Sequence, residues 1–158
     1  MKYYRIFVIL PFLFLSFNFS TAQPVEIHST QRYSELNGGI AFNRVLVNNK
    51  PVGPPIYPGV SFLWGKTHYF KSGFLLDNEI GLALPVIFTA KIGAGIDFEK
   101  FEFLIGLRAI PFNYYIQINT PTERGSFLFS VEKNILKFRA AEFSPPVLIN
   151  IGYRWNKF

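Results

Sequence analysis

The sequence predicts an all-β chain, a closed antiparallel up-and-down transmembrane β-barrel of about eight strands, and three observations carry that expectation. Apolar residues recur at every second position in segment after segment, which is the period of a strand and not of a helix. The alternate positions hold glycines (Gly73, Gly81, Gly93, Gly95, Gly106, Gly152) beside a few charges. A solvated strand face favours Thr, Lys and Glu there, whereas a narrow lumen needs small side chains next to a few large polar ones. Aromatic residues gather near the strand ends, at Tyr57, Tyr69, Phe70, Phe98, Phe101, Tyr153 and Trp155, where girdles at two membrane interfaces fall.

Composition bounds the alternatives. The 158 residues amount to one domain. With 49% hydrophobic and 16% charged residues, the chain is too apolar to be disordered. It has no cysteine, which excludes disulfide scaffolds, thiolate metal sites, cysteine nucleophiles and a lipidated N-terminal cysteine.

The first segment reads as an address. Lys2 and Arg5 precede an apolar run from Ile6 to Phe19, broken by Pro11, Ser16 and Asn18, and Ser20, Thr21 and Ala22 supply the small residues of a cleavage site before Gln23. The run is short of the about 20 residues of a bilayer span. Residues 1–22 are therefore expected to be a cleaved secretory signal peptide, and its removal lowers the formal charge from +6 to +4. Residues 23–35, polar and without a strong pattern, are expected to be an extended lead-in, with the barrel occupying 36–158. The small positive balance is not clustered, and export argues against a nucleic-acid partner.

The strands follow in order. Weak segments near 38–47 and 58–69 come first. In 73–84, Phe74, Leu76, Ile80, Leu82 and Leu84 share one face, broken only by Asn78; Leu75, Asp77, Glu79 and Ala83 share the other with the glycines. In 86–98, Val86, Phe88, Ala90, Ile92, Ala94, Ile96 and Phe98 alternate with Ile87, Thr89, Lys91, Gly93, Gly95 and Asp97, and in 101–109 Phe101, Phe103, Ile105 and Leu107 alternate with Glu102, Leu104, Gly106 and Arg108. Segments 113–119 and 125–132 are weaker, and 147–155 closes the series with Val147, Ile149, Ile151, Tyr153 and Trp155 on one face. Turn residues separate them: 48–58, 71–73, Pro85, Glu99 with Lys100, Pro111, 120–125 and 144–146.

Eight strands of about ten residues fit a barrel whose interior side chains can fill. In lipid an open sheet would leave backbone groups unpaired, so closure is required. An even strand number puts both termini on one side, expected to be periplasmic, with short turns after strands two, four and six. The stretches 48–57 and 133–146 become longer outer loops, and Pro85 an unusually short one.

Pairing then makes sharper demands. A hairpin at Glu99 and Lys100 sets Phe98 against Phe101, Ile96 against Phe103 and Ile92 against Leu107, all on the apolar face. The preceding hairpin sets Glu79 against Lys91, and the same registers set Lys91 against Arg108 and Asp97 against Glu102. Like charges across a pair cost energy, so each needs an opposite partner elsewhere in the lumen. The expected lumen network is Asp77, Glu79, Lys91, Asp97, Glu102, Arg108, Glu132 and Arg154, with Tyr115 neighbouring Arg108.

The terminal segment Val147 to Phe158, alternating and ending in an aromatic residue, resembles the last strand of small eight-stranded outer-membrane β-barrel proteins of Gram-negative-type bacteria. The pattern covers most of the chain after residue 22; only this end carries a motif. The resemblance implies an integral outer-membrane protein with outer-membrane lipid as its surroundings. It also implies passage through periplasmic chaperones and recognition by the outer-membrane assembly machinery, through Ile149, Ile151, Tyr153, Trp155 and Phe158. Phe158 is out of phase with Tyr153 and Trp155.

Catalytic chemistry is thinly represented. His28 and His68 have no ligand spacing, so no metal site is expected. Neither a nucleophile elbow nor a phosphate-binding loop occurs, and Gly93-Ala94-Gly95 lies inside a strand, so no cofactor is expected. Some small barrels of the resembled group modify lipid A with a histidine, a serine and acidic partners. His68 with Ser61 or Ser72 is the candidate here, though 67–72 fall on the periplasmic side. The leading expectation is a non-enzymatic barrel with a packed polar lumen and a structural or surface-interaction role. The alternatives are a lipid-modifying enzyme and a secreted soluble β-barrel that binds an apolar ligand inside.

Overall fold

The alternation is realised as eight strands closed on themselves. The computed structural model describes residues 26–42, 46–47, 50–51, 56–84, 87–110, 112–135 and 147–157. Strand β1 spans Ile27–Phe42, β2 Ile56–Phe70, β3 Phe74–Leu84, β4 Phe88–Asp97, β5 Glu102–Arg108, β6 Asn113–Thr122, β7 Gly125–Asn134 and β8 Val147–Lys157. Each pairs antiparallel with its predecessor, and β8 returns to pair with β1. A short ladder, Leu46–Val47 with Lys50–Pro51, lies between β1 and β2. The expected leader 1–22, the first residues of the lead-in, Pro85, Pro111, 144–146 and Phe158 lie outside the described residues.

The registers follow the sequence. Ile92 faces Leu107 and Ile96 faces Phe103; Glu79 faces Lys91, Lys91 faces Arg108, and Asp97 faces Glu102. The β4–β5 turn closes with the Phe98 N–H donating to the Phe101 carbonyl at 2.9 Å, and the two rings stack with centroids 4.9 Å apart. Glu99 takes a φ of 64° in that turn, a left-handed conformation usually left to glycine.

Stagger sets the shape of the barrel. Following paired residues round from Arg32 passes Lys66, Asn78, Ile92, Leu107, Tyr114, Lys133 and Val147, and returns to β1 at Phe42. The path closes ten residues along from its start. Eight strands with that stagger tilt by roughly 40° to the axis, which leaves an interior about wide enough for side chains to fill.

The same stagger corrects the reading of the first strand. Residues expected as a lead-in form most of β1, which begins at Ile27 and ends at Phe42, not near 38–47. Closure needs long strands at the seam, and β1 and β2 have 16 and 15 residues. The first half of β1 pairs beyond the level where outward positions are apolar, so Thr30 and Arg32 face out there and no hydrophobic alternation marks it. Pro58, expected at a turn boundary, lies within β2 at a point paired with β1 but beyond Val60, the last residue paired with β3.

The barrel has two unlike ends. At the turn end lie the start of β1, the end of β8 and three tight connections: 71–73, 98–101 and 123–124. At the other, the loop end, lie the connections between β1 and β2 and between β7 and β8, with shorter ones after β3 and β5.

Polarity runs outward from apolar to solvent and inward to charge. Ile80 and Ile151 are each 65% exposed and Ile105 is 55% exposed, whereas Glu35 and Glu132 are fully buried and Arg154 is 2% exposed. The interior also holds Leu63, Leu75, Leu104 and Leu128; Leu75 and Leu104 pack with Tyr115. Outer aromatic rings cluster toward the turn end, in the contacts Phe70–Phe74, Phe127–Tyr153 and Tyr153–Trp155, and Phe62 meets Trp64 midway along β2. Tyr69, expected among them, instead points inward and donates to Glu102, and Tyr57 falls on the same inward parity of β2.

Candidate functional site: the barrel interior

Inward positions from all eight strands converge on the axis, and hydrogen bonds join them into two groups. The larger lies toward the turn end and is centred on Arg154 of β8. Its Nη2 reaches Glu79 Oε1 at 2.8 Å, Glu35 Oε2 at 2.9 Å and Asp77 Oδ2 at 3.2 Å. Its Nε donates to Glu35 at 3.1 Å, and the guanidinium lies 3.6 Å from the centre of the Tyr33 ring. Tyr33 donates its hydroxyl to Asp77 at 2.8 Å, as Thr67 does at 2.6 Å. An Arg is the side chain for such a place, because its planar donor fork serves several carboxylates while its face stacks on an aromatic ring.

Lys91 of β4 extends this group. Its ammonium sits 3.0 Å from Glu79 Oε2 and 3.7 Å from Glu35 Oε1, donates to Gln117 at 2.9 Å and lies 4.7 Å above the Tyr115 ring. A chain of neutral amides continues from there: Gln117 donates to Asn119, and Asn119 to Glu102 at 2.8 Å. Glu102 takes its other hydrogen bond from the Tyr69 hydroxyl at 2.5 Å.

The second group lies toward the loop end and is simpler. Arg108 of β5 pairs with Glu132 of β7 at 3.2 Å, and Asn113 and Asn150 donate to the same carboxylate at 3.1 and 3.0 Å. Two like-charged neighbours, Lys91 and Arg108, thus each find a different acid, as the register required.

Glycines make room for the large members of the network. A Cβ on Gly65 would run into the Tyr33 ring, and one on Gly106 would come within 2.6 Å of Tyr115 Cζ. Gly93 offers its bare backbone to the Tyr115 hydroxyl in the same way. The two tyrosines lie flat against strands that carry no side chain at those points, so they can fill the interior without forcing the wall outward.

Of the residues expected in the lumen, Asp77, Glu79, Lys91, Glu102, Arg108, Glu132, Arg154 and Tyr115 are all buried inside. Tyr115 is the diagonal neighbour of Arg108, which pairs with Asn113, but the cation over its ring is Lys91. Asp97 is a correction. It is exposed at the turn end, where its carboxylate accepts the Glu99 N–H at 2.9 Å and supports the tight turn. At the last residue of a strand, the inward parity no longer leads into the interior.

Sequence reading missed the β1 contribution. Tyr33, Glu35 and Asn37 all enter the network, and Glu35 is the partner that Arg154 holds with two nitrogens. The available signal was parity: Tyr33, Glu35 and Asn37 alternate with Ser34 and Leu36, a strand pattern in which the inner set is polar. Asn113, Gln117, Asn119 and Asn150 were missed because an uncharged amide gives no sign of burial in sequence.

A cavity of about 590 Å³ lies at the turn end. Tyr69, Glu102, Ser126 and Arg154 form its inner wall, with His28, Asp97 and Thr122 around it. His68 is on the other face of the sheet and shares a 2.9 Å hydrogen bond with Thr30. Ser61 points inward and accepts from Asn37, so β2 itself separates His68 from Ser61; Ser72 is in the following turn. Among the described residues no group of three or more His, Asp or Glu is placed to hold a metal ion.

The fold and interior define an all-β closed barrel with a charged, packed core. No protein-family model matches the chain, and no curated protein matches it.

Proposed function

We propose that the protein is an integral outer-membrane β-barrel whose role is structural or one of surface interaction, without catalysis and without a wide pore. One observation carries this reading: the apolar side chains face outward all round, while five carboxylates and three cations are buried along the axis. Water would reverse that arrangement, since exposing a belt of Ile, Leu and Phe while burying eight charges is unfavourable on both counts. Lipid favours it. With the tilt above, the 11 residues of β3 rise roughly 27 Å along the axis, which suits an apolar band of about 25 Å.

The packed interior supports the absence of a wide pore, because Arg154, Lys91, Tyr33, Tyr115 and Leu104 meet across it. The same charges speak against a soluble barrel with an apolar ligand inside. On this reading residues 1–22 direct export and are removed, periplasmic chaperones escort the chain, and the outward row Ile149, Ile151, Tyr153 and Trp155 with Phe158 serves the assembly machinery. The turn end faces the periplasm, and the loops meet the cell exterior.

Membrane fractionation combined with gel migration of boiled and unboiled samples tests the proposal. The expected result is recovery in the outer-membrane fraction and a change of mobility on heating. Recovery as a soluble protein without detergent overturns it.

A further inference from the structure

On the outer wall at the turn end, cations stand in register with no acid to balance them. Arg32 of β1 faces Lys66 of β2 on one side and Lys157 of β8 on the other. Arg32 and Lys66 are both exposed and on the outward parity. Directly opposed like charges destabilise a strand pair unless an anion lies between them. Among the described residues no carboxylate pairs with Arg32 or Lys66: Glu35, Asp77, Glu79, Glu102 and Glu132 are buried inside, Asp97 and Glu99 belong to the β4–β5 turn, and Glu123 to the β6–β7 turn. Glu26 is paired with Lys71 at 2.6 Å.

The setting is specific to one sector. Two positions nearer the loop end, Ser34 is flanked in register by Trp64 on β2 and Trp155 on β8, each about two-fifths exposed. Indole rings settle at the headgroup level of a membrane, so the cations just beyond them stand at the level of lipid phosphates. Further round, on β3 to β5, the same edge is made by Phe74, Phe98 and Phe101, and no two cations face each other on the outer wall there.

We propose that Arg32 and Lys66 hold the phosphate of an anionic phospholipid in the leaflet at the turn end. Arg32 can present a two-pronged donor fork to two phosphate oxygens, and Lys66 adds a point charge. The acyl chains then run toward the loop end over Leu36, Val60 and Ile80, all exposed on the outer wall. This inference rests on the membrane-spanning reading above.

Trp64 and Trp155 are the only tryptophans of the chain, and both adjoin the site, so they report on it directly. The protein is refolded into phosphatidylcholine vesicles that contain either brominated phosphatidylglycerol or brominated phosphatidylcholine at equal fraction, and tryptophan quenching is compared. The expected result is several-fold enrichment of the anionic lipid, of the order of fivefold for each basic residue engaged at an anionic surface. Higher salt should reduce it, and Arg32→Gln with Lys66→Gln should bring it to parity with phosphatidylcholine. Lys133→Gln, toward the loop end, should leave it unchanged. Equal quenching by the two lipids in the unaltered protein overturns the inference while leaving the membrane-spanning reading intact. So does a preference that survives in the double variant. Quenching by neither lipid overturns both.

Discussion

The two halves of the interior solve the same problem differently. Toward the turn end, Arg154 is shared by Glu35, Asp77 and Glu79, stacked on Tyr33 and within 3.4 Å of Thr67. Toward the loop end, Arg108 has one acid, Glu132, and its Nε has no hydrogen-bond partner among the described residues. The same holds nearby for Asn113 Oδ1 and Thr89 Oγ1, while in the first group Asn37 Oδ1 and the Tyr115 hydroxyl also lack one among the described residues. The first group is held redundantly, with acid in excess, and the second by a single pair. Buried ions cost several kcal/mol each to desolvate, so what matters for each is how much charge is stranded when a partner goes.

The largest contrast is expected from the two arginines. Arg154→Met leaves Asp77 without a cation and Glu35 and Glu79 sharing Lys91, and should cost about 5 kcal/mol or abolish refolding, whereas Arg108→Met strands Glu132 alone and should cost about 3 kcal/mol. Urea unfolding followed by tryptophan fluorescence measures both, and equal losses would erase the distinction between the halves. The acids should rank in the opposite sense. Glu132→Gln leaves Arg108 without a carboxylate and should cost about 2 to 3 kcal/mol, while Glu79→Gln leaves Arg154 and Lys91 with Glu35 and should cost under about 1 kcal/mol.

A smaller effect probes the packing around Tyr115, beneath Lys91. Gly93→Ala drives a methyl into the Tyr115 hydroxyl and should cost about 1 to 2 kcal/mol. Most of that loss should vanish when Tyr115→Phe is added, and Tyr115→Phe alone should be nearly neutral, since the hydroxyl it removes has no partner among the described residues. A double-mutant cycle in the same unfolding assay checks this; strict additivity would count against the contact. The smallest change is at the turn end, where Glu99→Gly relieves a left-handed backbone and should raise stability by up to about 1 kcal/mol.

Much of this was legible because a strand reports its two faces directly. Phe74, Leu76, Ile80 and Leu82 against Leu75, Asp77, Glu79 and Gly81 fixed both the strand and the membership of its faces. Glu99 with Lys100 then fixed the register by which Lys91 meets Arg108, and the hairpin before it the register by which Lys91 meets Glu79. Legibility failed where the outward set was not apolar. Thr30 and Arg32 face outward on the first half of β1, so Tyr33, Glu35 and Asn37 passed as a polar lead-in. It failed again at Asp97 and Tyr69, whose roles depend on whether a strand end still lies over the interior.

Taken alone, the order of residues determined the strand period, the composition of each face, the hairpin registers and the list of charges that must share an interior. Those are local properties, because side-chain direction alternates with every residue along an extended backbone. Which acid serves which cation was decided only when the sheet closed. A stagger of ten residues brings Glu35 of β1 and Arg154 of β8 together across 119 residues of chain, and no local pattern encodes that meeting.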